Sequence, residues 1–296
     1  MELRDIEIFL TLAEELHFGR AAARLHVSQA RVSQAIAAQE RRLGGALFDR
    51  SNRRQIRLTH LGRQLRDDLR PVYKGLRDSL ERAHLAARGI TAQLRVGMFP
   101  QNVADLHRYW QAFRSRHPQW ELRLRRAPFV GPFDRLRDGD IDVLVAWLPV
   151  EEPGLTVGPT LLTDHRVLAV STGHELAGRS SAPAEVLGDF PTATGPNLPD
   201  YWEDSYLPFY TPQGRVIERV EPATNVDDLI HLVGTGEIIH SFPAHVTRLW
   251  SMAHIAWLPI PDLPRLSFAL VWRTESENDL IRALAQTVRD LGPTTC

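Results

Sequence analysis

The stretch "FGRAAARLHVSQARVSQAIAAQERRL", residues 18–43, decides how the N-terminal part of this chain folds. Its first eight residues form a short helix pattern, small enough around Ala21 and Ala22 to pack closely on a neighbour. His26-Val27-Ser28 makes a turn, and Ser28 is a good N-cap, because its hydroxyl accepts from a backbone N–H of the next turn. A further helix runs from Gln29 to about Arg42, with Val32, Ala35, Ile36 and Leu43 on its buried side. Two helices joined by a turn of three or four residues, the second polar on one side, make a helix-turn-helix.

The polar side explains the motif. A helix that only needs solubility is served by Lys and Glu, whereas Gln29, Arg31, Ser33 and Gln34 are side chains that read hydrogen-bonding edges. In this motif the second helix enters the major groove with its N-terminal residues against the bases. Arg grips guanine O6/N7 and Gln grips adenine N6/N7, and Ala30 is small enough to meet a thymine methyl. Ser28, Gln29, Ala30, Arg31, Ser33 and Gln34 are therefore the candidate base-reading residues.

Working outward, residues 3–16 place Ile6, Phe9, Leu10, Ala13 and Leu16 at helical spacing, a buried stripe. After the motif, "LFDRSNRRQIRLT" (47–59) has a Ser51-Asn52 turn and an alternating "QIRL", the pattern of a small hairpin or wing. By itself the arginine cluster Arg50, Arg53, Arg54 and Arg57 reads equally well as a solvated loop. Beside a helix-turn-helix it points to phosphate or minor-groove contact. From Thr59 to Arg88 the apolar positions Leu61, Leu65, Leu69, Val72, Leu76, Leu80, Ala83 and Ala87 follow an eleven-residue repeat. This pattern predicts a nearly straight or slightly right-handed helix pairing. Too little local chain is available to cover such a helix, which favours pairing with a second copy. Pro71 predicts a kink within it.

At 296 residues the chain is long for one core, so two or three units are expected. The net charge of −1 conceals an asymmetry: residues 1–90 hold 17 Lys+Arg against 11 Asp+Glu, and residues 91–296 hold 18 against 25. A basic first third joined to an acidic remainder suggests a polyanion-binding module fused to something with another task. No apolar run approaches the ~18 residues of a membrane span, and "MELRDIEIFL" has acids where a signal peptide is basic. A cytoplasmic, nucleoid-associated protein is expected. The single cysteine, Cys296, leaves no disulfide framework or Cys-based zinc site.

Residues 16–62 resemble the LysR-type transcriptional regulators. The carriers are Ala21-Ala22, Leu25, Val27-Ser28-Gln29, Val32-Ser33, Leu43-Gly44, Leu47-Phe48, Arg50, Arg54, Leu58-Thr59 and Gly62. Ala30 departs from a frequent Pro, and Gln39 from a usual Leu ahead of Glu40. The resemblance implies an N-terminal winged helix-turn-helix, a long linker helix and a two-lobed, periplasmic-binding-protein-like α/β effector domain.

The remaining residues agree on their own terms, through looser patterns. "LRVGMF" (94–99) is a short apolar strand, followed by a helix with Leu106, Trp110 and Phe113. "WELRLRR" alternates as a half-buried strand, and "IDVLVAWL" (141–148) is an apolar run covered on both faces. Strands alternating with helices indicate parallel α/β units. "HRVLAVS" begins a second lobe near Leu161, "VDDLIHLVGTGEIIHSF" adds a helix and a strand, and "LSFALVWR" (266–273) returns to the first lobe. A closing helix starts at Ser276 as N-cap and buries Leu280, Ile281, Leu284, Val288 and Leu291. The expected domains are 1–58, 59–90 and 91–296. Lobe one spans about 91–160 and 267–296, and lobe two about 161–266.

Ligands of such folds bind beyond the carboxyl ends of strands, near helix N-termini. That places Phe99, Pro100, Gln101 and Asn102 first, with Asn102 and backbone N–H groups suited to a carboxylate. Phe129, Trp147, Asn197, Trp202 and Asn225 join them as candidate cleft residues. A flap is suggested by Pro196, Pro199 and Pro208 with Trp202 and Tyr206. An isolated Trp or Phe is more often core than ligand wall, and the ligand class does not follow.

Catalytic and metal patterns fail. "DGDID" (138–142) lacks the Gly and Glu of a calcium loop. His240 and His245 are off the helical spacing of a zinc pair, and "GTGE" lacks the rest of a dinucleotide fingerprint. No metal or cofactor is expected, and no enzymatic constellation is found. The expected partners are double-stranded DNA at a near-palindromic operator, a small-molecule effector, a second or further copies as homodimer or homotetramer, and RNA polymerase if the protein activates. The alternative is a solute binder or small-molecule enzyme with a helical arm, which has no use for a basic wing.

Overall fold

The chain enters its first helix, α1 (Leu3–Glu15), with Asp5 Oδ2 accepting the Glu2 N–H. The structure is a computed structural model that describes residues 2–51, 56–99, 102, 104–128, 131–195, 198–223 and 225–295. Side-chain caps start the next helices. His17 Nδ1 accepts from Arg20 N ahead of α2 (Phe18–Leu25), and Ser28 Oγ accepts from Arg31 N ahead of α3 (Gln29–Leu43). A two-residue hairpin follows, β1 (Phe48–Asp49) against β2 (Arg57–Leu58). Thr59 Oγ1 then accepts from Gly62 N and starts α4 (His60–Ala87).

These elements form one compact unit, residues 1–89. Its core is Ile8, Phe9 and Leu12 from α1, Ala21, Ala22 and Leu25 from α2, and Val32, Ala35 and Ile36 from α3, closed by Leu47 and Phe48. Leu16 and Leu43, expected in the core, are exposed. Both lie where a helix ends in a left-handed residue, Leu16 itself (φ 46°) and Gly44 (φ 75°), and the chain turns away from the packed face. Gln39 is buried and donates from Nε2 to Asp5 O at 2.9 Å, so a hydrogen bond to α1 replaces the usual apolar contact. Gly62 sits so close to the preceding chain that a Cβ there would lie 2.1 Å from Leu47 O.

Helix α4 passes through Pro71 as one continuous element. Leu65, Leu69 and Tyr73 pack on the unit's core. Further along, the same stripe is bare: Val72 is 68% and Leu80 60% exposed.

The second unit, residues 90–296, holds two larger sheets of different character and one two-stranded sheet among the described residues. In chain order its elements begin with β3 (Ala92–Met98), α5 (His107–Arg116), β4 (Trp120–Arg126), α6 (Asp134–Arg137), β5 (Val143–Trp147) and β6 (Leu155–Asp164). Next come β7 (Arg166–Ser171), β8 (Thr192–Thr194), α7 (Asp200–Tyr206), β9 (Arg219–Pro222), α8 (Val226–Thr235), β10 (His240–Pro243) and β11 (Ile255–Pro259). The chain closes with β12 (Leu266–Arg273), α9 (Asp279–Leu291) and β13 (Thr294–Thr295).

A six-stranded sheet in the order β13-β6-β12-β5-β3-β4 carries the first lobe. Every residue of β5 is buried, as its continuous apolar run requires. The sheet is mixed rather than parallel: β3 runs parallel to β4 and β5, but β12 is antiparallel to both β5 and β6. The returning strand enters from the second lobe at the opposite end, which reverses its direction. In the second lobe, β10-β7-β11 is antiparallel throughout, with β8 and β9 paired beside it.

The passage between sheets falls at His165, beyond the expected Leu161, because β6 pairs with β12 as far as Asp164↔Leu266. Asn278, not Ser276, caps α9: its Oδ1 accepts from Leu280 N and Ile281 N, while Thr274–Ser276 is spent on a 3-10 turn. Ile281, Leu284 and Val288 are buried, but Leu291 is exposed at the last residue of the helix. No helix among the described residues is long and apolar enough to cross a membrane.

Candidate functional site

The face of α3 opposite its core residues carries Ser28, Gln29, Ala30, Arg31 and Gln34, all exposed, with Ser33 half-buried beside them. Arg31 is exposed, with its Nη2 4.0 Å from Asp5 Oδ1, at the limit of an ion pair. On the hairpin, Arg50 Nη2 donates to Glu40 Oε2 at 3.0 Å, and its guanidinium lies 5.4 Å from the Phe18 ring centre. Glu40 Oε1 also accepts from Leu47 N and Phe48 N. Arg50 is thus fastened to α3 at one edge. Arg53 and Arg54 lie outside the described residues.

In the second unit the candidate cleft residues separate into different roles. Asn102, fully buried, faces His245 Nε2 through Oδ1 at 3.0 Å. The other ring nitrogen of His245 lies 2.8 Å from Asp164 Oδ2, which also accepts the His245 N–H at 2.7 Å. This chain of three joins the loop after β3, the end of β6 and the 3-10 turn Ala244–Arg248 across the passage between lobes. Burial pushes the Asp164 carboxyl up, but the bonds from His245 outweigh it and hold the group below the usual carboxylate range.

Trp147 and Trp202 stack on each other, ring centres 3.5 Å apart and planes 5° apart. Each indole N–H donates to the other residue's carbonyl, at 3.1 and 2.9 Å. Phe99 and Phe133 flank the pair. Asn225 caps α8, its Oδ1 accepting from Asp228 N. Pro100, Gln101, Phe129 and Asn197 lie outside the described residues.

Beside the indole pair is a small cavity, partly open to solvent. It lies between the flap that carries α7 and the strands of the second lobe. Of the described cleft candidates, Trp147 lines it. Its other walls include Leu198, Leu207, Tyr206, Glu203, Arg219 and His240. Glu203 Oε1 accepts from Thr194 Oγ1, Gly195 N and Arg219 Nη1. Arg219 and Glu203 were not legible as a site, since they are distant in sequence and belong to no motif. A trace of His240 was visible: it is a lone imidazole within the apolar run "EIIHSF".

Burial, then the charges of Arg166 and Arg219, pushes the His240 imidazole down to about 3. It is therefore neutral at pH 7. As pH falls below about 6.5, an ordinary His in the unfolded chain takes a proton first, so stability is lost progressively towards the folded value. In His240→Phe this contribution disappears. Melting temperatures measured from about pH 7 to about pH 4 are expected to fall less steeply for the variant than for the wild type. Parallel curves would reject a buried neutral His240.

Among the described residues no cluster of three His, Cys, Asp or Glu side chains stands ready for a metal ion. The family model for the bacterial regulatory helix-turn-helix protein, LysR family, matches residues 3–63, and that for the LysR substrate-binding domain matches residues 87–293. The HTH-type transcriptional regulator AlsR of Bacillus subtilis is 26% identical over 287 residues, spanning 95% of this chain and 93% of its own. The uncharacterised HTH-type regulator YnfL of Escherichia coli is 32% identical over 303 residues, 94% of either chain. Among solved structures, full-length CbnR complexed with its target DNA shares the fold with a TM-score of 0.66. The identity is 22%, over 99% of this chain and 100% of that one.

Proposed function

The chain belongs to the LysR family of bacterial helix-turn-helix transcriptional regulators, and from that premise we propose how its parts act. Helix α3 lies in the major groove and reads base edges through Gln29, Arg31 and Gln34, with Ser28, Ala30 and Ser33 in close approach. The observation that carries this reading is the exposure of these residues along the first turns of a helix whose opposite face is core. Arg50, Arg53 and Arg54 contact the phosphate backbone, which adds affinity and register rather than sequence information. The bare stripe of α4 pairs with a second copy. Two reading helices about one DNA turn (~34 Å) or a multiple apart then demand a near-palindromic operator.

The second unit binds a small-molecule effector in its cleft. Binding changes transcription only to the extent that the ligand prefers one arrangement of the lobes over another. Where the protein activates, RNA polymerase is the partner, and its place is the cytoplasm, on the nucleoid.

The test is Arg31→Ala. Against a set of single-base operator variants, the variant is expected to lose ~1–3 kcal/mol of discrimination at one base position and little elsewhere. If every sequence weakens equally, Arg31 is a phosphate contact and α3 is placed wrongly.

A further inference from the structure

Helix α7 is rooted in both lobes of the second unit. On the first-lobe side Trp202 lies in the core of the six-stranded sheet, stacked on Trp147, and Tyr201 Oη donates to Glu152 Oε1 at 3.0 Å. On the second-lobe side Leu207 lies in the core under β7 and β11. There Arg219 pairs with Glu203 and donates to the carbonyls of Leu207 and Pro208, and Arg166 donates to the Tyr206 carbonyl. The Tyr206 ring packs against both cores. Parting the lobes along α7 therefore exposes buried aromatic surface and breaks these bonds together.

The joint at the turn Ala244–Arg248 is of another kind. The turn reaches the first lobe through the Asn102 amide, whose Oδ1 lies 3.0 Å from His245 Nε2, and through Arg248, which pairs with Asp105. The His245 ring also stands edge-on to Phe268, ring centres 5.9 Å apart. The Arg248 side chain is 56% exposed, and an ion pair in water contributes little. The bonds between His245 and Asp164 need not break when the lobes turn, because Asp164 ends β6 opposite Leu266, at the passage between the lobes. Parting the lobes at this turn breaks polar bonds that water replaces, so it costs less than parting them along α7.

We infer that the second unit moves as a jaw, with α7 and the strand passage as its pivot and the turn Ala244–Arg248 as a latch that closes on Asn102 and Asp105. Arrangements of the lobes then differ in the gap between this turn and the start of α5, not across α7. The Asn102–His245 bond and the Asp105–Arg248 pair set how much of the closed jaw is populated, and weakening them favours the open one. The inference rests on the reading of residues 90–296 as an effector-binding unit only in its consequence, that the position of the jaw is felt at the DNA.

Pulsed electron-spin distance measurements on the full chain test it. Cys296→Ser is the background, and labelled chain is diluted into unlabelled chain so that only distances within one protomer are read. One label pair, Gln111→Cys with Ser251→Cys, spans the turn side, and another, Arg135→Cys with Gln213→Cys, spans the α7 side; all four positions are exposed. Asn102→Ala combined with Arg248→Ala is expected to lengthen the first distance or split it in two, and to leave the second unchanged. Should that variant not fold, Arg248→Glu, an exposed change, is expected to shift the first distance the same way, and Asp105→Arg added to it to restore the original. An unchanged first distance, equal changes in both distances, or no rescue by the reversed pair overturns the inference. The coupling to DNA fails separately: an opened jaw that leaves the protein's footprint on its operator unchanged keeps the latch and removes its regulatory role.

Discussion

His245→Ala lowers the stability of the second unit by about 3 kcal/mol, the low end of the cost of leaving a buried carboxylate without its side-chain partner. Both side chains of the pair are fully buried, and Asp164 Oδ2 loses the ring nitrogen 2.8 Å away. The low end applies because the backbone N–H groups of residues 245 and 165 still reach the carboxylate. Asp164→Asn, which removes the charge but keeps an acceptor, costs less. Urea unfolding followed by circular dichroism reads both variants, and equal losses would sink the electrostatic account. The pH dependence has a definite sign. Because the folded carboxyl sits below its ordinary value of 3.8, its contribution is complete above that value and is lost only as pH falls through the lower folded one.

Trp202→Ala has an effect as large or larger, about 3–5 kcal/mol, as for other fully buried aromatic side chains. The indole is completely buried, stacks on Trp147 and donates to the Trp147 carbonyl. Its loss leaves a void in the larger core and frees α7, which forms one side of the cavity. Trp202→Phe, which restores much of the volume and none of the hydrogen bond, is expected to recover more than half of the deficit. A loss below about 1 kcal/mol in Trp202→Ala would mean that the flap is held elsewhere.

The N-terminal unit was legible because its signals are local. Ser28 and Thr59 cap their helices through hydroxyls to N–H groups three residues on, so sequence and geometry coincide. Gly44 and Gly62 belong to the family's pattern for separate reasons: one ends α3 at a positive φ, the other lets α4 approach the Leu47 carbonyl. The errors there, Leu16 and Leu43, fall at helix ends, where periodicity continues on paper but the packing partner has run out.

The candidate cleft was less legible. An aromatic residue at a strand end looks the same in sequence whether it faces a ligand or another indole, and Trp147 and Trp202 chose each other. Asn102 reads as a loop polar group, yet it is buried against His245. Arg219, Glu203 and His240 carry no mutual spacing that a single chain could advertise.

By itself, the sequence determined the helices of the first unit, the polar face of α3, the apolar stripe of α4 and four strands of the six-stranded sheet, β3, β4, β5 and β12. Each depends on residues within a few turns or one strand of one another, where period and capping chemistry suffice. Only the tertiary structure decided the Asp164–His245–Asn102 link, the indole pair and the Arg219–Glu203 pair on the cavity wall. These contacts join residues 16 to 143 positions apart, and their energies come from burial and pairing that exist only once the sheets have folded together.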